Sequence, residues 1–126
     1  NLGMVVMDGA YLVGKVVEAN YLSSRVLLLS DLNSKIPVIV EPNAVFSILS
    51  GTGKDYGIIQ YSKKYEDIKN ESIIYTSGAG SLFKAGIPIG RMNINNLSDE
   101  KKVEFFSDFS QLKFVKVVSF KKSENK

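Results

Sequence analysis

The 126-residue chain reads as an all-β protein of antiparallel strands arranged in small barrels. Three observations predict this. Val and Ile supply 24 residues against five Ala, and β-branched side chains suit a pleated surface but lose rotamer freedom in a helix. Glycine recurs between the apolar runs, ten in all. The runs themselves are short, with turn signals roughly every 8–12 residues, the spacing of a sandwich or barrel. Closure removes exposed edges, which favours a barrel over an open sheet.

The strands are expected in the following order. Residues 4–7 come first, closed by the turn pair Asp8-Gly9. Residues 11–18 follow, interrupted by Gly14, where a bulge or a close backbone approach is expected. Next come 25–30, 35–41, 45–50, 57–61, 72–76 and 88–93, and the last is 114–120. Pro37 and Pro42 bracket one run and predict an edge position or bulges there. The segment 98–112 reads two ways. Val103, Phe106, Phe109 and Leu112 recur at helical spacing, whereas Val103 and Phe105 suit the inward face of a strand. The favoured reading is a strand through Phe106 and one short helical turn over residues 107–112.

The composition excludes a good deal of chemistry. The chain has neither histidine nor cysteine. Histidine is the commonest acid/base near neutral pH, so no Ser-His-Asp or Cys-His site can be built. Zinc sites draw chiefly on Cys and His, and no disulfide can form. The net charge is +3, but only Arg25 and Arg91 are arginines. The pairs Lys63-Lys64, Lys101-Lys102 and Lys121-Lys122 lie close to acids, the pattern of solvated faces rather than a nucleic-acid surface. No apolar run approaches the roughly 20 residues needed to cross a bilayer. Residue 1 is Asn, which suggests a processed chain or a piece of a longer one.

Two glycine-rich stretches invite a phosphate-loop reading and fail it. Gly51-Thr52-Gly53-Lys54 is followed by Asp55, not Ser or Thr, and then by a strand; a hairpin turn needing positive φ explains it better. Gly78-Ala79-Gly80, with Gly86 and Gly90, has no helix behind it. The acid pairs Asp99-Glu100 and Glu66-Asp67 sit in polar runs. A Ser-Lys dyad drawing on Ser23, Ser24 or Ser77 and on Lys15, Lys35 or Lys84 has no supporting spacing. No catalytic, cofactor-binding or metal-binding residue is therefore predicted.

The aromatics are more suggestive. Tyr56, Tyr61, Tyr65 and Tyr75 fall within twenty residues, and Phe83 lies in the next loop. Such side chains supply large contact area at low rotamer cost. Tyr61, Tyr65 and Phe83 are the candidate partner-binding residues, while Tyr75 is expected in the core, its hydroxyl reaching water.

One loop carries a recognisable motif. Thr76-Ser77-Gly78-Ala79-Gly80-Ser81-Leu82-Phe83-Lys84-Ala85-Gly86-Ile87-Pro88-Ile89-Gly90 resembles the T-S-G-x-G-G-x-F-P-x-G-[LI]-P-[VI]-G signature of the MreC family of bacterial rod shape-determining proteins. Leu12-Val13-Gly14-Lys15-Val16-Val17, then Ser23-Ser24-Arg25-Val26-Leu27-Leu28-Leu29, then Asp31, Ser34, Ile36, Pro37 and Val38 are similar to that family's G-L-V-G-x-V, S-S-R-V-x-L-L and D-x-x-S-x-[IV]-P-V series. Asp108-Phe109-Ser110-Gln111-Leu112 before Val115 and Val117-Val118 resembles its D-L-x-x-L-x-x-V-x-V-V ending. Ser81 and Lys84 stand where the family has Gly and Pro, and Asn70-Glu71-Ser72 replaces its Gly-Asp turn.

The resemblance implies two small barrels of trypsin-like topology without catalytic residues. It maps an inserted barrel to residues 20–93, an end-built and incomplete barrel to 1–19 with 95–120, and a disordered tail to 121–126. It further implies a non-catalytic scaffold of the cell-wall elongation complex, with the elongation penicillin-binding transpeptidase, MreD and RodZ as partners and self-association as a dimer or polymer. The implied location is the periplasmic face of the inner membrane, reached through an N-terminal helix outside this chain. A missing opening strand would leave an unpaired edge near residues 4–7 or 114–120. The competing reading, from a pI near 9.1 and the aromatics, is a small oligonucleotide-binding barrel.

Overall fold

The computed structural model describes residues 4–19, 24–60, 68–78, 84–94, 100–109 and 116–118. Within them run β1 (Val5–Asp8), β2 (Tyr11–Ala19), β3 (Ser24–Leu28), β4 (Lys35–Glu41), β5 (Val45–Gly51), β6 (Tyr56–Gln60), β7 (Ile73–Thr76), β8 (Pro88–Ile94), β9 (Lys101–Phe105) and β10 (Lys116–Val118). Strands β4 to β9 close into a six-stranded barrel in the order β4-β5-β6-β9-β8-β7. Its third strand thus pairs with its sixth and its first with its fourth, the trypsin-like order. The other four form a sheet in the order β10-β1-β2-β3. All pairings are antiparallel.

Period-two alternation builds the barrel. Along β4, Ile36, Val38 and Val40 point inward while Lys35, Pro37, Ile39 and Glu41 stand outward. Leu49, Ile59, Ile74, Ile89, Met92 and Val103 complete the interior, each no more than 2% exposed. A six-stranded barrel is narrow enough for side chains to fill, and each buried aliphatic contributes about 1.5–3 kcal/mol. The sheet adds Val5, Leu12 and Leu29 to this same core. Its other face gathers Val6, Val13 and Val16 into a second, smaller cluster. Tyr11 of β2 meets Phe106 at 4.9 Å between ring centroids, joining sheet to barrel.

Gly14 meets both expectations placed on it. Val6 pairs with Gly14 but Met7 with Leu12, so Val13 is an extra, bulged residue. A Cβ at Gly14 would lie 2.4 Å from the Leu27 carbonyl oxygen, so β3 can approach only a glycine. The 51–54 stretch is a turn, as expected: Gly53 has φ +81°, and its N–H bonds the Ser30 carbonyl at 2.7 Å.

Three expectations need correction. The 20–93 boundary is displaced, because β3 folds back on β2 through Gly14↔Leu28 and Val16↔Val26 and belongs to the sheet. The 95–120 segment is divided, because β9 closes the barrel between β6 and β8 with Val103 inside. Of the two places named for an unpaired edge, residues 4–7 are paired on both sides, by β10 and β2, whereas β10, within 114–120, stands at one end of the described sheet and β3 at the other. Pro37 does not mark an edge strand, since β4 has two neighbours. Pairing with β7 begins only at Val38, so the proline breaks no bond of that ladder. The second half of the turn expected at 107–112 and the whole tail at 121–126 fall outside the described residues.

Candidate functional site

The outward side chains of β4, β5 and β7 form an apolar face. Ile39 lies opposite Phe46 on one side and Tyr75 on the other. Directly opposed residues on one face of a sheet hold their Cβ atoms about 4.5–5.5 Å apart, so Phe46, Ile39 and Tyr75 make a continuous row. A second row pairs Pro37 with Ile48. Ile39, Tyr75, Pro37 and Ile48 are half-buried, but Phe46 is 65% exposed. A phenylalanine that wet is spare binding area, because covering it releases about 1.5–3 kcal/mol. The Phe46–Ile39–Tyr75 row lines a groove together with Glu41, Ala85 and Gly86.

Ala85 and Gly86 belong to the base of the glycine-rich loop, and Thr76 holds it. The Thr76 side chain is fully buried. Its hydroxyl donates to the Lys84 carbonyl at 2.6 Å and accepts the Ile87 N–H at 2.9 Å. The Thr76 N–H bonds the Ile87 carbonyl, and the Gly86 N–H bonds the Thr76 carbonyl. Gly86 has φ +89°, which only glycine takes without strain. One buried threonine therefore seats both ends of the loop against the Tyr75 side of the groove.

This architecture agrees with the sequence comparisons. The barrel-core profile of the rod shape-determining protein MreC family matches residues 1–119. The chain belongs to the MreC family. The cell shape-determining protein MreC of Caulobacter vibrioides is 31% identical over 120 residues, covering 95% of this chain and 34% of that protein. The crystal structure of MreC from Pseudomonas aeruginosa superposes with a TM-score of 0.82 at 29% identity, covering 94% of this chain and 81% of that one. MreC in the complex of penicillin-binding protein PBP2 and MreC from Helicobacter pylori shares the fold, with a TM-score of 0.69 at 16% identity over 90% of this chain and 74% of that one. The chain spans 34% and 38% of the length of the curated MreC proteins of Caulobacter vibrioides and Cereibacter sphaeroides.

The MreC-like motif and the apolar face are therefore one structural unit, since Thr76 opens the motif and Tyr75 precedes it. The predicted partner-binding residues Tyr61, Tyr65 and Phe83 lie outside the described residues. Tyr75, expected in the core, stands outward because Ile74 and Thr76 take the inward positions of β7. Phe46 carries one sequence signal: within Val45–Gly51, alternation places it opposite in phase to Val45 and Leu49.

Other candidates are accounted for by local contacts. Lys35 reaches a serine outside the candidate set: its Nζ donates to Ser50 Oγ at 3.3 Å. Ser50 in turn donates its proton to Gln60 Oε1 at 2.7 Å, so the hydroxyl is spent on a structural bond. Lys102 sits 4.5 Å from the centroid of the Tyr56 ring and Arg91 5.7 Å from that of Phe106. These aromatic faces are covered by the protein's own cations rather than offered to bases. Among the described residues no group of three His, Cys, Asp or Glu could hold a metal ion, and no helix is long and apolar enough to cross a membrane.

Proposed function

We propose that this chain is a non-catalytic docking module of the bacterial cell-wall elongation complex, and that the Phe46–Ile39–Tyr75 face engages the elongation penicillin-binding transpeptidase. The observation that carries this is the 65% exposure of Phe46 in a cross-strand apolar row. A fold relative solved as a complex with a penicillin-binding protein supports the choice of partner. In this reading the module acts by position: it binds one conformation of the transpeptidase more tightly than others and so raises its population. The reading places the module on the periplasmic face of the inner membrane. MreD, RodZ and further copies of the protein are the additional partners.

The test is association of the full-length protein with the transpeptidase of the same organism. A complex at micromolar concentration, lost on Phe46→Ala, is the expected outcome. No association at that concentration overturns the proposal.

A further inference from the structure

The apolar groove is lined in part by a carboxylate. Glu41 is half-buried and lines the groove together with Ile39, Phe46, Tyr75 and Ala85. Among the described residues of that lining it is the one charged side chain. The outward row of β4 thus runs from Lys35 through Pro37 and Ile39 to Glu41, a span of about 20 Å at strand rise. Its two charged ends differ. Lys35 is bonded to Ser50, whereas Glu41 makes no ion pair among the described residues. The nearest arginine in register is Arg91, across Ile73 from Glu41. Arg91 is committed to Glu71 at 3.7 Å and to the Phe106 ring.

Whatever covers Phe46 must also deal with this carboxylate. Apolar cover alone would strip water from Glu41 and leave a charge without a partner, a cost of several kcal/mol. A cation brought by the partner removes that cost and fixes register along the groove.

We infer that the groove selects a segment of the transpeptidase in which a Lys or Arg flanks an apolar anchor. The anchor lies against Phe46, Ile39 and Tyr75, and the cation meets Glu41. This rests on the docking reading above and adds the chemistry of its occupant.

The test measures affinity of the full-length protein for the periplasmic part of the transpeptidase, at low and high salt. The variants are wild type, Glu41→Gln, Glu41→Lys and Phe46→Ala. Phe46→Ala is expected to weaken binding at both salts. Glu41→Lys is expected to weaken it about tenfold at low salt, and Glu41→Gln to weaken it less while flattening the salt dependence. Glu41→Gln keeps the size and shape of the side chain, and thermal melts of each variant separate misfolding from lost contact. If Phe46→Ala weakens binding but neither Glu41 variant does, the inference falls and the docking reading stands. Tighter binding by Glu41→Lys also overturns the inference. If no variant changes affinity, the docking reading itself falls.

Discussion

The Thr76 hydroxyl donates to the Lys84 carbonyl at 2.6 Å while accepting the Ile87 N–H, so a single buried side chain closes the loop that borders the groove. Thr76→Val keeps the shape and removes both bonds. It leaves a buried N–H and a carbonyl unpaired, which costs about 1–3 kcal/mol. Chemical denaturation measures the loss, and Thr76→Ser, which retains the hydroxyl, is expected to recover most of it.

Gly14 sets how closely β2 and β3 approach. Gly14→Ala places a Cβ 2.4 Å from the Leu27 carbonyl oxygen, and backbone cannot swing aside as a flexible side chain could. The expected destabilisation is about 1–3 kcal/mol. It is accompanied by faster hydrogen exchange at the β2–β3 amides relative to the barrel.

Tyr11 and Phe106 couple the sheet to the barrel through rings 4.9 Å apart and tilted by 40°. A double-mutant cycle on Tyr11→Ala and Phe106→Ala is expected to return a coupling of about 0.5–1.5 kcal/mol. Additive effects would mean that the two rings touch without stabilising each other.

Glu71 holds φ +71°, a left-handed conformation that costs an L side chain about 1–2 kcal/mol. Its ion pair with Arg91 is exposed on both sides and offsets little of that. Glu71→Gly is therefore expected to raise stability by about 1 kcal/mol, read as a higher melting temperature. A lower one would show that the Arg91 contact outweighs the backbone term.

Much of the fold is legible in the sequence because alternation and turn residues act locally. Val45, Ser47 and Leu49 reveal one face of β5 whatever that strand pairs with. Partner choice is not local: the apolar pattern of Ser24–Leu28 is equally compatible with the barrel and with the sheet, and only pairing to Gly14 decides it. Val103 and Phe105 make β9 legible as a strand even though Phe106 and Phe109 add the spacing of a helix face. Tyr75 was misplaced for a subtler reason. Its strand's phase is set by Thr76, a polar residue turned inward to bond the loop, whereas sequence patterning assigns threonine to the outside. The candidate surface stayed hidden because alternation shows that Phe46 faces away from Val45 and Leu49 but not that this outer face is left uncovered.

The most direct test of the account is the dissociation constant of the Phe46→Ala protein with the elongation transpeptidase, measured beside its melting temperature. Because Phe46 is 65% exposed, folding stability is expected to change by no more than about 0.5 kcal/mol. Loss of a central aromatic anchor is expected to weaken binding by at least about tenfold. A dissociation constant equal to that of the wild type, with the fold intact, would contradict the assignment of this face as the docking surface.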